Sequence, residues 1–238
     1  MSDSRDDEIA AGLARVRARV AAACVAAGRS EADVRIIGVT KNHPASDVRC
    51  LAALGVTDVG ENRAQEAEAK ALEVDDPKVT WHFVGALQTN KARSVVRFAD
   101  VVHSVDRRKL VAALGREAVR ADREITALIQ VNLAPGTPGV IGERSGAVPG
   151  EVPGLAAAVA ETAGLRLGGV MAVAPLGEEA GAAFERLAST AERLRVEHPD
   201  ATMVSAGMSG DLEAAVAHGA THLRIGTALL GDRGPIVR

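Results

Sequence analysis

Eight short β-branched segments alternate with helical segments along this chain, and that alternation restricts the possible folds more than any other feature. The strand segments are Val34–Val39, Thr57–Gly60, Thr80–Val84, Val101–Ser104, Ile125–Val131, Leu165–Ala172, Thr202–Ser205 and Thr221–Ile225. One amphipathic helix precedes them: Ile9, Leu13, Val16, Val20 and Cys24 recur at helical spacing, and Gly28 stops it. Helical stretches follow the strands. One is opened by Pro44 and closed by Gly55, one spans Arg63–Glu73, one Asn90–Phe98, and one follows Asp106 as its cap. The others are Glu151–Thr162, the stretch carrying Phe184, Leu187, Ala191 and Leu194, and Ser209–Ala217. Short buried strands that each lead into a helix build parallel sheets. Eight such units after a leading helix predict an α/β fold, a single-domain (β/α)8 TIM-type barrel over residues 1–238 with an extra N-terminal helix. A doubly wound open sheet uses the same alternation. No Gly-x-Gly-x-x-Gly follows the first strand, which counts against its dinucleotide-binding version. Residues 1–6 read as a frayed tail, and Pro135–Gly150 as a long Gly/Pro-rich loop.

Composition removes whole classes of function. A formal charge of −3 gives no electrostatic reason to bind nucleic acid. Three Phe, one Trp and no Tyr leave no stacking platform for single strands and no tyrosine base. No apolar run reaches a membrane span, and the acidic start Met1–Glu8 is no secretory signal, so a cytoplasmic protein with no membrane partner is expected. Cys24 and Cys50 fall in helical stretches without metal-ligand spacing and read as small buried apolar residues. No long apolar patch is legible, so a monomer is expected.

In a barrel of this kind the chemistry sits at the C-terminal ends of the strands. Two groups there make a phosphate cradle. Ser205-Ala-Gly-Met-Ser209 reads as a small-residue loop feeding straight into a helix, and Gly226-Thr227 follows the neighbouring strand. Free N–H groups and a helix dipole attract an anion, although the same residue types also make plain turns. Asp211 falls in the first turn of that helix and repels a phosphate unless its carboxylate points outward. Lys41 stands at the mouth of an apolar strand, across the mouth from the cradle. A lysine there can lose hydration, lower its pKa and attack a carbonyl; otherwise it is a solvated loop lysine. Amine and cradle together select an aldehyde that carries a phosphate, and pyridoxal 5′-phosphate (PLP) meets both demands. Arg224, two residues before Gly226, can point into the mouth. An arginine facing a pyridine nitrogen leaves that nitrogen neutral and weakens the ring as an electron sink; alternatively Arg224 pairs with a carboxylate at the strand end. His82 and His103 read as satisfied core or mouth histidines, and His43 has no assigned role.

The stretches Thr40-Lys41, Gly60–Asn62, Trp81–Gly85, Leu87–Lys91, Val102–Asp106, Gln130–Asn132, Gly169–Met171, Ser205–Ala215 and Arg224–Thr227 resemble the pyridoxal-phosphate homeostasis proteins, whose fold is similar to the N-terminal barrel of alanine racemase. The resemblance runs from about Val34 to Gly231. It implies that Lys41 forms the internal aldimine. Ser209, Gly226 and Thr227 would hold the phosphate, with Ser205 and the Gly207–Met208 backbone nearby. Arg224 would face the pyridine nitrogen, and Asn62 would lie beside the ring. Two departures are visible: Ala86 stands where many members carry His or Arg, and the loop after Asn132 is Gly/Pro-rich where others are short and charged. The family implies a PLP-binding protein of vitamin B6 and amino-acid balance, with apo PLP-dependent enzymes as possible recipients. The alternative is a PLP-dependent amino-acid racemase. In alanine racemase the second base is a tyrosine from an additional domain. This chain has no tyrosine and ends seven residues after Gly231, so a carrier without a catalytic base pair is expected.

Overall fold

The computed structural model describes residues 2–134 and 146–231. Eight parallel strands run in chain order: β1 (Arg35–Val39), β2 (Asp58–Glu61), β3 (Thr80–Phe83), β4 (Val101–Val105), β5 (Ile125–Gln130), β6 (Leu165–Met171), β7 (Met203–Ser205) and β8 (His222–Ile225). β8 closes onto β1 through four paired positions, from Arg35 beside His222 to Gly38 beside Ile225. The sheet is therefore a closed barrel, which rules out the doubly wound alternative. The helices are α1 (Ser2–Ala26), α2 (Ala45–Ala53), α3 (Ala64–Val74), α4 (Ala92–Val96), α5 (Arg108–Arg120), α6 (Val152–Ala160), α7 (Ala180–Glu197), α8 (Leu212–Ala217) and α9 (Thr227–Leu230). Among the described residues no helix is long and apolar enough to cross a membrane.

The main core lies between the barrel and its helices. The stripe Ile9, Leu13, Val16, Val20 and Cys24 of α1 is buried there, as its spacing requires. A Cβ on Gly12 would lie 2.4 Å from the Leu229 carbonyl oxygen, so glycine lets α1 sit directly on α9. Side chains on the opposite strand faces point into the barrel. Val101, Leu128 and Met171 form a small apolar cluster there. Beside it the interior is polar: Asp58, His82, His103, Ser205, His222 and Arg224 are all buried.

Three local expectations are corrected. Ser2–Asp6 belong to α1 and are not a frayed tail, while Met1 lies outside the described residues. The reason is an anchor. Arg5 Nη2 donates to Asp47 Oδ2 at 2.7 Å and to the Leu230 carbonyl at 2.9 Å, which ties the first turns to α2 and α9. Asp106 does not cap α5. The N-cap is Arg107, with no side-chain cap bond, and Asp106 pairs with the Arg107 guanidinium instead. The helix read as starting at Ser209 starts at Leu212. Asp211 holds its N-cap position and turns its carboxylate back to accept the Met208 N–H at 2.5 Å. Residues 135–145 of the long loop lie outside the described residues.

Removing the anchor tests its worth. Arg5→Ala strips Asp47 and the Leu230 carbonyl of a charge-assisted donor, and urea unfolding should show a loss of about 1–3 kcal/mol; an unchanged midpoint would mean that the start of α1 adds nothing. The polar interior sets a pH dependence. Burial holds the His103 ring well below the usual histidine range and the His222 ring down to about 4. Unfolded, both rings take up protons near pH 6.5, so acidification favours the unfolded chain. Stability should fall from below pH 6.5 by up to about 1.4 kcal/mol per pH unit for each ring, and a flat profile between pH 7.5 and 5 would contradict their neutral burial.

Candidate functional site

Lys41 and the Gly226-Thr227 turn leave neighbouring strands, β1 and β8, at the same rim. This corrects the expectation that they face each other across the mouth. A Cβ on Gly226 would lie 3.4 Å from the Val39 carbonyl oxygen, which shows how closely the two chain exits run. Asn62 follows β2 on the other side of β1, and Ser209 follows β7 on the other side of β8. The four strand ends β2, β1, β8 and β7 thus form one continuous arc of the rim.

Lys41 lies in a turn just past β1 and is exposed, so the expected dehydration in an apolar strand mouth is also corrected. Its two chain neighbours are held from α3 and β2. Thr40 Oγ1 donates to Glu61 Oε1 at 2.6 Å, and the Thr40 carbonyl accepts from Lys70 Nζ at 2.8 Å. Asn42, with φ of 64°, donates its N–H to Glu66 Oε1 at 2.8 Å. Glu61 is fully buried, and burial pushes its carboxyl up while the Lys70 ammonium and Thr40 pull it down. None of these supports was found in the sequence reading. A glutamate two residues before a predicted helix and a lysine inside it look like ordinary surface residues until β2 and α3 are packed together.

The anion loops meet as expected. Ala228 N–H donates to Ser209 Oγ at 3.2 Å, which joins the loop after β7 to the turn after β8. Arg19 of α1 braces this junction: its Nη1 donates to the Ser209 carbonyl at 2.9 Å, while Nε and Nη2 grip Glu213. Thr227 is exposed, and Gly226 and Ser209 are half-buried. Gly207 has φ of +89°, and a Cβ there would come within 2.6 Å of the Ala215 side chain, so the loop needs glycine to turn under α8. Two members of the expected set are otherwise engaged. The Met208 N–H is given to Asp211, and the Ser205 hydroxyl is buried inside the barrel.

Among the described residues Arg224 forms no ion pair with a carboxylate, which corrects the strand-end pairing alternative. Its Nη1 donates to Ser205 Oγ at 2.7 Å and its Nη2 to the Ala172 carbonyl at 2.8 Å, so the guanidinium lies at the C-terminal ends of β6 and β7. Burial lowers its pKa to about 10, so it stays a cation at neutral pH. His103 and His82 are satisfied interior histidines, as read from their strands. His43 Nδ1 lies 3.1 Å from Asp47 Oδ2, within the Arg5 anchor. Asn62 Oδ1, like Glu61 Oε2 and Ser104 Oγ, is buried without a hydrogen-bond partner among the described residues. A Cβ on Gly85 would lie 2.4 Å from the Asn62 carbonyl oxygen, so the loop after β3 presses on the Asn62 backbone. A buried acceptor left unpaired is costly, and it suits a position that a ligand completes.

Comparison with known proteins shows the family and the fold. The family model described as alanine racemase, N-terminal domain, matches residues 13–234. The pyridoxal phosphate homeostasis protein of Mycobacterium bovis is 42% identical, over 96% of this chain and 94% of its own length. Its namesake from Escherichia coli is 36% identical, over 95% and 97%. Among solved structures, PipY of Synechococcus elongatus with PLP bound superposes with a TM-score of 0.78 at 37% identity, covering 94% of this chain and all of that one. On sequence, fold and length together, this chain belongs to the pyridoxal phosphate homeostasis protein family, built on the alanine racemase N-terminal barrel.

Proposed function

We propose that this chain binds PLP at the β2–β1–β8–β7 rim and serves PLP homeostasis as a carrier rather than as a racemase. The observation that carries the proposal is the arc itself. It sets an amine, two joined anion-binding turns and an unpaired buried amide oxygen on four successive strand ends. The residues present fit the group. Ser209, Gly226 and Thr227 would hold the phosphate through hydroxyls and turn N–H groups. Lys41 would meet the aldehyde, Asn62 would pair its orphan oxygen at the ring, and Arg224 would face the ring nitrogen. Gly207 shapes the loop, while Ser205 and Met208 contribute from behind it. Bound PLP supplies an aldehyde for an amine to capture and a ring that withdraws electrons.

The chain's own residues set what that ring can do. A cation at the ring nitrogen keeps the nitrogen unprotonated and limits electron withdrawal. Two-base racemisation requires an acid–base group on each face of the ring. The chain contains no tyrosine. His82 and His103 are bonded to each other inside the barrel, and His43 is bonded to Asp47. The exposed Lys41 turn suits exchange with solvent and with apo PLP-dependent enzymes, the recipients we assign to a monomeric cytoplasmic carrier.

Borohydride treatment of the PLP-loaded, yellow protein should fix the cofactor onto Lys41, as read by peptide mass. Lys41→Ala should abolish that label; an adduct of equal yield on another lysine would displace Lys41 from the site. Wild-type protein should exchange the α-proton of L- or D-alanine in deuterated water no faster than free PLP does. Saturable exchange above that background would move the protein to the racemase class.

A further inference from the structure

Arg224 is a buried cation: Asp211 acts on it through space, and a file of hydrogen-bonding groups starts at its acceptor Ser205 and ends at Asp58, which also faces Arg35 at 3.6 Å. Among the described residues no carboxylate lies within salt-bridge distance of it. From Ser205 Oγ, its acceptor at 2.7 Å, contacts continue in single file through the barrel. His103 Nδ1 lies 3.0 Å from Ser205 Oγ, His82 Nδ1 lies 2.8 Å from His103 Nε2, and Asp58 Oδ1 lies 3.0 Å from His82 Nε2. Asp58 opens β2, at the end of the strand opposite Asn62 and the rim.

Proton counting leaves one arrangement that satisfies every member. Arginine only donates, so Ser205 Oγ accepts from it and passes its single proton to His103 Nδ1. That leaves His103 with its proton on Nε2, which it donates to His82 Nδ1. His82 then carries its proton on Nε2 and donates to Asp58, which as a carboxylate only accepts. The acceptor-only Asp58 end and the single Ser205 hydroxyl proton, which has His103 Nδ1 as its acceptor, set this direction with one proton on each ring. The depressed pKa of His103 agrees with this. The Asp58 carboxyl is pushed up by burial, but the His82 bond and nearby cations bring it below its ordinary value, so it is charged. Hydrogen bonds aligned in series polarise one another, so the Asp58 charge strengthens each link up to Arg224.

We propose that Asp58, His82 and His103 are positioning residues that act through Ser205 to fix the direction and polarity of the Arg224 guanidinium at the rim. The inference rests on the reading that Arg224 meets the ring of PLP. It makes a carboxylate on the far side of the barrel part of the ligand site without touching the ligand.

Asp58→Asn keeps an acceptor of the same shape and removes the charge. Nitrogen-15 NMR of the histidines in the PLP-free protein should show both rings neutral and protonated on Nε2. Asp58→Asn should shift the His103 nitrogens, two links away. In the loaded protein it should weaken PLP binding about threefold to tenfold and move the pH profile of the bound chromophore. Ser205→Ala cuts the chain next to Arg224. In that background Asp58→Asn should have no further effect on PLP affinity, a coupling that loss of fold would not produce. Thermal melts of all variants report folding separately. Rings protonated on Nδ1, unmoved His103 nitrogens, or additive losses in the double variant would overturn the proposal. Arg224→Lys separates the two ideas. If it leaves PLP affinity and absorption unchanged, the ligand assignment of Arg224 fails while the NMR still decides whether the chain exists. If it changes both and Asp58→Asn changes neither, the assignment stands and the positioning role fails.

Discussion

Pairing of the last strand with the first is the constraint on which the rest depends. Once Arg35–Gly38 of β1 lie beside His222–Ile225 of β8, the lysine turn and the anion turn share one rim although 185 residues separate Lys41 from Gly226 (226 − 41). An open sheet of the same strands would leave β1 and β8 wherever its strand order put them. Closure also removes both sheet edges and encloses the polar interior, where water cannot compete for the hydrogen bonds of His82, His103 and Arg224.

Much of this was legible in the residues. The eight strands and the leading helix follow from β-branched runs and the 3.6-residue stripe of Ile9 to Cys24, which are local patterns that packing reinforces. That the loops carrying Ser209 and Gly226-Thr227 meet was legible, because small residues after adjacent strands signal neighbouring turns. What stayed hidden depends on distance in the chain. A closed eight-strand barrel sets the first strand beside the last, so Lys41 and Gly226 are neighbours; placing them opposite did not follow from the expected barrel itself. Asp211 looked like a repulsive charge in a first turn, but the helix starts one residue later and its carboxylate serves the loop N–H. Asp58 carried no signal, because an aspartate opening a strand is ordinary until the barrel interior sets His82 against it.

The site is held from outside as much as from within. Glu61, Glu66 and Lys70 clamp the residues on either side of Lys41 and leave its own side chain in solvent. The course of the turn is thus fixed while the Lys41 side chain stays open to solvent. The buried Glu61–Lys70 pair is costly to desolvate, and its return is the fixed course of one turn.

Helix α1 braces the rim from outside the barrel. Arg5 holds the Leu230 carbonyl and Arg19 holds the Ser209 carbonyl, so α1 is tied both to α9 and to the loop after β7. The loop after β7 and the turn after β8 therefore take their final course only when they pack against a helix distant from them in the sequence. Loosening α1 would slacken both at once, from outside the barrel.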